Sequence, residues 1–230
     1  MISWDEFVEK YNLDRYNLVY LRENRDLVLE LAWDHLQLSL LAVGIALLIA
    51  IPLSMLAVRV RALSLPIFTL LGAIYTIPSL AFLSFLIPSV GLGRSNALIV
   101  LVSYAQIFLV RNLVAGLRGV DSAMLEAARG IGMNAWQVFA RVRWPLALPV
   151  VLAGIRTALV TTIGLATITD AVGAGGLGQL LFIGVSRNQP PRILAGAIAI
   201  TALAVVVDLL LRLATTMTAA SRARRSLRGA

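Results

Sequence analysis

The sequence predicts an all-α, polytopic membrane protein with about five core transmembrane helices and an N-terminal amphipathic helix. Hydrophobic residues make up 59% of the 230 residues, and the mean hydropathy is +0.87, whereas ordinary soluble domains are about 45–50% apolar. About 20 consecutive apolar residues span a bilayer as a helix. Five stretches qualify, at about residues 36–58, 63–87 (interrupted by Pro66 and Pro78), 97–117, 146–168 and 193–213. A re-entrant hairpin within the second stretch remains an alternative.

Charged residues predict how the spans are oriented. Arginine clusters follow the first span, follow the third span and close the chain, and five spans place all three clusters on one side. Of the 12 acidic residues, eight precede residue 35. Because basic residues concentrate in cytoplasmic loops, we expect a multi-pass inner-membrane protein with its N-terminus outside and its C-terminus in the cytoplasm. The net charge of +8 then reflects topology, and we expect no nucleic-acid partner.

The chain divides into three predicted regions. Residues 1–34 form an N-terminal extracytoplasmic or interfacial segment, in which Ser3 and Glu6 resemble a capping box and aromatic residues share one helical face. That face lies either in the lipid headgroups or on the rest of the protein. Residues 35–215 form the transmembrane domain, with a cytoplasmic loop at 118–145, and residues 216–230 form a basic cytoplasmic tail.

Composition disfavours an enzyme. The chain has no cysteine and a single histidine, His35, so thiolate and multi-histidine metal sites are excluded. No Walker A sequence occurs. We therefore expect no catalytic residue, no metal site and no cofactor bound by this chain.

The loop between the third and fourth spans is predicted to be folded. Asp121 and Ser122 are good helix N-caps, and Gly130 and Gly132 can end the helix that follows. A second short helix is predicted at about residues 136–142. Pro145 then begins the fourth span, at a position where its missing N–H is harmless.

This loop resembles the EAA signature of ABC importer permeases. The sequence runs Glu126-Ala127-Ala128, three residues, Gly132, nine residues, Val142, one residue and then Trp144-Pro145. Valine stands for the usual isoleucine and tryptophan for the usual leucine, and both replacements are apolar. The resemblance implies the MetI-like fold of type I ABC importer permeases.

In such permeases this loop is the coupling helix that docks on the ATP-binding subunit. The implied coupling residues are Glu126, Ala127, Ala128, Arg129, Gly130, Gly132, Val142 and Pro145. The implied partners are a dimer of ATP-binding cassette subunits that holds ATP and Mg²⁺, a second permease copy (identical or related), a substrate-binding protein and membrane lipid. A stand-alone secondary transporter is less favoured, because no internal repeat is evident.

A glycine-rich segment follows the fourth span. Gly173, Gly175 and Gly178 match G-x-G-x-x-G, but a dinucleotide site needs a preceding strand. We expect a tight turn or re-entrant cap instead, since irregular backbone at membrane depth must be covered by protein or face water. The candidate outer gate of the pathway comprises Asp170, Gly173, Gly175, Gly176 and Gly178. Asp170 either contributes to the pathway or pairs with Arg187 or Arg192.

Two stretches resemble the permeases of osmoprotectant importers, which carry glycine betaine, carnitine, choline or related quaternary amines. They are Asp34-His35-Leu36-Gln-Leu-Ser39 and the glycine-rich segment with the apolar residues after it. A permease for methionine or another amino acid is the alternative. Aromatic rings bind quaternary ammonium groups, so the candidate pathway aromatics are Tyr75, Phe82, Phe85 and Tyr104. Simple packing is the competing role for each of them.

Three further charged residues receive structural roles. Arg111 and Arg156 are predicted to snorkel from span ends towards the cytoplasm. Asp208 is predicted to pair with Arg212 one helical turn later.

Overall fold

A computed structural model describes the backbone of residues 19–228 and the side chains of residues 20–213, and the described chain is helical almost throughout. The helices in chain order are α1 (Val19–Glu23), α2 (Arg25–Arg59), α3 (Arg61–Thr76), α4 (Ser79–Val90), α5 (Arg94–Arg118), α6 (Ser122–Gly130), α7 (Ala135–Val138), α8 (Trp144–Ala166), α9 (Gly178–Ser186) and α10 (Pro190–Arg228). A π-helical segment (Phe139–Arg143) leads into α8, and a 3₁₀ segment (Ile168–Val172) follows it. The predicted N-terminal capping box and aromatic face lie outside the described residues.

Four of the five predicted spans are single helices. Arg25–Arg59, Arg94–Arg118, Ala135–Ala166 and Pro190–Leu213 are each long and apolar enough to cross a bilayer. The helices Arg61–Thr76 and Ser79–Val90 meet that test only together, as a broken span or a re-entrant loop.

Only one of the two prolines in the second stretch interrupts it. Ile77, which precedes Pro78, has extended backbone angles (φ −65°, ψ 128°), because proline disfavours the helical conformation in the residue before it. Pro66 lies inside α3 without ending it. The predicted interruption at Pro66 is therefore wrong. Membrane helices tolerate interior proline, because neighbouring groups satisfy the carbonyl that it leaves free.

The predicted region boundaries fall inside continuous helices. Residues 34 and 35 both belong to α2, and residues 215 and 216 both belong to α10. The last residues of the first predicted region, 25–34, therefore form the first turns of α2, which is the first span. The start of the tail continues the last span as helix.

The chain forms two compact units. The first comprises the described residues up to Leu40, together with Ser79–Val100 and Ile163–Val206. One cluster of its core packs Val28 and Leu31 of α2 against Leu177 and Leu180. Its buried polar residue Asn96 donates hydrogen bonds to the carbonyls of Leu83 (3.1 Å) and Gly91 (2.9 Å), so it fixes the turn between α4 and α5.

The second unit comprises Leu41–Pro78, Leu101–Thr162 and the described residues from Val207 onward. Small residues of α2, including Ala46 and Ala50, face the buried side of α5 in its core. Such residues let membrane helices approach closely. Because α2 and α5 lie close together here, the side chain of Gln106 on α5 can donate a hydrogen bond to the backbone carbonyl of Ala46 on α2 (3.0 Å). Gly154 is equally close to α5, since a Cβ there would lie 2.3 Å from the Cβ of Asn112.

Within the second unit an ion-pair cluster joins α8 to α10. The Arg156 guanidinium donates to both carboxylate oxygens of Asp208, so the predicted snorkelling of Arg156 is wrong. Asp208 also pairs with Arg212 (2.9 Å), which confirms that prediction. Because a charge inside an apolar span is costly unless it is paired, Arg156 and Asp208 hold these two helices in register.

Candidate functional site

The loop after α5 begins with a capped and terminated helix. Asp121 caps α6 by accepting a hydrogen bond from the backbone N–H of Ala123 (2.9 Å). At the other end Gly132 has φ +86°, which suits glycine because it lacks a Cβ. The N–H of Gly132 bonds to the carbonyl of Arg129 (2.9 Å), and the N–H of Met133 bonds to that of Ala128 (3.2 Å). This pair of bonds is a Schellman motif, so Gly132 is the residue that turns the chain.

The second half of the loop is continuous with the fourth span. Asn134 and Gln137 form a capping box, each side chain accepting from the other's backbone N–H at 2.9 Å. The spacing Asn-x-x-Gln is the local sequence signature of this cap. Pro145 has no N–H to donate, and the turn before it is π-helical, with Trp144 bonding to Phe139 five residues back. The prediction of a separate helix before Pro145 is therefore corrected.

The predicted coupling residues divide into an exposed set and a covered set. Glu126, Ala127, Arg129, Gly130 and Gly132 are exposed, whereas Val142 and Pro145 are half-buried. Ala128 is buried in this chain, so we correct its expected position on the docking surface: it lets α6 pack closely instead.

Apolar side chains accompany the exposed set. Met124, Ile131 and Trp136 are exposed, the last two by 76% and 72%. Large apolar groups that project from a loop outside the predicted spans are typical of a surface that another protein covers.

Two arginines tie this loop to the spans. Arg143, in the π segment, donates from Nε to the carbonyl of Leu117 (2.9 Å), near the end of α5. Arg118, at the end of α5, donates to the carbonyl of Ala57 (2.7 Å), near the end of α2. Each guanidinium satisfies a carbonyl of a helix C-terminus, where positive charge is also favoured by the helix dipole. A displacement of the π segment would therefore reach the ends of α5 and α2.

The glycine-rich segment is a tight turn built on the 3₁₀ segment. Gly173 has φ +72°, and both Gly175 and Gly176 have φ +84°. The N–H of Gly173 bonds back to the carbonyl of Asp170 (2.8 Å). The predicted turn is thus confirmed.

Asp170 lies at the base of this turn. Burial raises the pKa of its carboxyl, and a hydrogen bond with the backbone of Gly175 opposes that rise. Asp170 belongs to none of the ion pairs among the described residues, so its predicted pairing with Arg187 or Arg192 is wrong. Arg192 instead lies over the ring of Tyr20, 5.8 Å from its centroid.

His35 is the residue of this region that sequence analysis undervalued. It is fully buried, and its Nε2 lies 2.8 Å from the carbonyl oxygen of Ile163. That carbonyl is free because Thr167 bonds to Gly164 in a 3₁₀ pattern. A carbonyl only accepts, so Nε2 carries the proton.

Glycine is required where the segment meets His35 and the 3₁₀ segment. A Cβ at Gly176 would lie 2.9 Å from His35 Nδ1, and a Cβ at Gly178 would lie 2.2 Å from the carbonyl oxygen of Thr167. Asp34, the neighbour of His35, pairs with Arg94 (3.1 Å). A lone histidine after an acid at the start of an apolar span was the available signal. Close packing therefore explains Gly176 and Gly178, which are buried, whereas Gly173 is exposed and Gly175 is half-buried.

The four candidate aromatics have different environments. Tyr104 is only 3% exposed, and its hydroxyl donates to the carbonyl of Ile77, so we correct its role to packing. Tyr75 is 42% exposed, with edge-to-face contacts to Tyr104 and Phe108 at 5.6 and 5.4 Å between centroids. Phe82 is half-buried, and Phe85 is 78% exposed.

The sequence pattern that defines one family, described as "binding-protein-dependent transport system inner membrane component", matches residues 39–217. The chain belongs to this family. The match includes the last part of the first span, the remaining spans, the loop and the glycine-rich segment. The predicted family of the permease is therefore confirmed, and the chain is a transport subunit of a multi-pass membrane system.

Three curated relatives are similar to the permease over most of its length. The glycine betaine/carnitine/choline transport system permease protein OpuCB of Bacillus subtilis is 37% identical over 84% of this chain and 89% of the relative. The choline transport system permease protein OpuBB of the same organism is 39% identical over 85% and 90%. The osmoprotectant import permease protein OsmW of Salmonella typhimurium is 40% identical over 84% and 92%.

Two solved structures share the fold of the permease. An inward-facing methionine ABC transporter, MetNI, aligns with a TM-score of 0.70 at 21% identity, covering 81% of this chain and 93% of that one. An amino acid ABC transporter aligns with a TM-score of 0.72 at 19% identity, covering 87% and 98%. The predicted all-α, MetI-like fold is therefore confirmed.

Proposed function

We propose that this chain is the transmembrane permease subunit of an ABC importer for osmoprotectant quaternary amines such as glycine betaine, carnitine or choline. One observation carries the substrate class: the three curated relatives are 37–40% identical to this chain, and the name of each specifies these compounds or osmoprotectants. The methionine and amino acid transporters share the fold at only 19–21% identity. Amino-acid import is therefore the second candidate.

The loop supplies the coupling step in this proposal. Glu126, Ile131 and Trp136 dock on an ATP-binding subunit, which holds ATP and Mg²⁺. Closure of that subunit's dimer moves the π segment, which is continuous with α8 and is joined to α5 through Arg143. Arg118 extends the displacement to α2. ATP hydrolysis in the cytoplasm thereby changes the arrangement of three spans.

The rest of the importer follows from topology. One chain contributes about five spans, so a second permease copy completes the pathway. The positive-inside pattern supports an inner-membrane protein with its C-terminus and its loop in the cytoplasm. A substrate-binding protein then docks on the outer side, to which the glycine-rich segment belongs.

The substrate class sets a chemical requirement that Tyr75 meets. A trimethylammonium group has a permanent charge and no N–H, so aromatic faces recognise it through cation–π attraction. The ring of Tyr75 is part-exposed and is held from the side by two other rings. A transport pathway needs to bind its substrate only weakly, and one aromatic ring in a fixed position provides such binding.

Uptake measurements test the proposed cargo. In cells in which this importer is the remaining route, labelled choline, glycine betaine or carnitine should enter saturably, and unlabelled quaternary amines should compete while methionine does not. Saturable uptake of methionine without uptake of any quaternary amine would refute the osmoprotectant assignment and support the second candidate.

Tyr75 offers a matched pair of variants in the same assay. Tyr75→Leu removes the aromatic face and should lower amine uptake several-fold, since one cation–π contact contributes about 0.5–2 kcal/mol. Tyr75→Phe keeps the ring and should retain most of the uptake. Equal loss in both variants would show that the hydroxyl, and not the ring, matters.

A further inference from the structure

The second unit has a cavity of about 350 Å³ beside the loop. Residues from the end of α2, the end of α5 and the π segment line this open cavity. It is lined by Met55, Val58, Arg59, Leu117, Phe139 and Arg143. Four apolar side chains and two guanidinium groups therefore share one small space.

The cavity lies at the ends of two apolar helices and at the start of a third. α2 ends at Arg59 and α5 ends at Arg118, and Arg143 directly precedes α8. Arginines at the ends of apolar helices mark the level of the lipid headgroups. The apolar side chains of the lining are thus at the level of the upper acyl chains, and the charged ones face the headgroups.

Both lining arginines have unused capacity to bind an anion. Arg143 donates Nε to Leu117, and none of its remaining N–H groups bonds to another described residue. Arg59 is exposed and belongs to none of the ion pairs among the described residues. The lining includes no acidic side chain. A guanidinium presents paired donors that match phosphate geometry.

We propose that this cavity binds one anionic phospholipid, with its phosphate on Arg59 and Arg143 and an acyl chain against Met55, Val58, Leu117 and Phe139. Inorganic phosphate would leave the apolar part of the lining unused. A zwitterionic lipid would bring its own cation towards two arginines. The bound headgroup touches the same guanidinium that ties the loop to α5, so the lipid stabilises the coupled arrangement.

Native mass spectrometry of the full chain in neutral detergent tests the site. We expect the chain to retain one phosphatidylglycerol in preference to phosphatidylcholine with the same acyl chains. Arg59→Gln should lower phosphatidylglycerol occupancy about five-fold, the effect of one basic residue near an anionic surface. Met55→Trp should lower it without any change of charge, because the indole fills the cavity.

Arg141→Gln is the matched control. Arg141 is an exposed arginine of the same π segment and does not line the cavity, so this variant should retain the lipid. If Arg59→Gln and Arg141→Gln lost phosphatidylglycerol equally, the lipid would be held only by the general positive charge of this region and not by the cavity, which would overturn the proposal. So would equal retention of both lipids, displacement by millimolar inorganic phosphate, or loss of the lipid whenever an ATP-binding subunit co-purifies.

Discussion

Gly178→Ala is expected to destabilise the permease by about 2–3 kcal/mol, at the upper end of the usual cost of overpacking. A Cβ at position 178 would lie 2.2 Å from the carbonyl oxygen of Thr167 and 3.0 Å from the Cβ of Asp170. Neither neighbour has room to move freely, because the backbone around Asp170 is bonded into the turn at Gly173. The melting temperature of the purified chain in detergent measures the effect, and transport should fall with it.

Gly164→Ala is the control for this substitution. Gly164 lies in α8, where an added Cβ would have no atom within 4 Å apart from its chain neighbours and the backbone of its own helix, and alanine is the better helix former. That variant should melt at or above the temperature of the unmodified chain. If Gly178→Ala had the same melting temperature as Gly164→Ala, the close contact between the 3₁₀ segment and the start of α9 would not exist as described.

Gly132→Asp is expected to leave the permease folded and to lower ATP-driven transport by more than about ten-fold, because an unpaired charge would be buried where we propose that the ATP-binding subunit docks. Apart from its two chain neighbours, no atom lies within 4 Å of a Cβ at Gly132. Asp is also among the residues that tolerate positive φ best. The positive φ costs a residue with a Cβ about 1–2 kcal/mol, a small part of the roughly 5–15 kcal/mol that stabilises a typical folded protein, so the chain alone should stay folded. Uptake, ATP hydrolysis and co-purification of the ATP-binding subunit are measured together.

Gly91→Asp is a closely matched control. Gly91 has φ +81° and open space around it, but it precedes α5, on the opposite side of the membrane from the loop in the predicted topology. It should therefore retain coupled transport. Full coupling in Gly132→Asp, or equal loss in both variants, would contradict the assignment of the docking surface.

The parts of the fold that the sequence predicted well depend on local rules. Apolar length placed the spans, and the Schellman glycine at position 132 had a local signature. Local rules also failed in one predictable way. Proline ends a helix at Pro78 but not at Pro66, and Pro52 and Pro149 likewise lie inside long helices. A proline inside a membrane helix leaves one backbone carbonyl without its hydrogen bond. The cost depends on whether groups from neighbouring helices bond to that carbonyl, and the sequence of one helix does not show this.

The errors in the site come from contacts between distant parts of the chain. Arg156 and Asp208 are 52 residues apart, and His35 and Ile163 are 128 residues apart. Taken alone, Arg156 fits a side chain that snorkels towards the membrane surface. Taken alone, His35 is an isolated histidine with no partner for a metal site. From its sequence position Tyr104 was a candidate to line the transport pathway. Its burial and its hydrogen bond to the carbonyl of Ile77 show that it packs inside the protein instead. Pairing of this kind requires the tertiary structure.

The central claim is that this chain is the pathway of an ATP-driven importer and is coupled through the loop around Glu126. Its most direct test is uptake by proteoliposomes that contain the tagged chain and the subunits that co-purify with it. We predict that a quaternary amine enters only when ATP is present on the side of the loop and a binding protein is present on the other side. ATP-independent uptake of the same compound by the chain alone would contradict the claim.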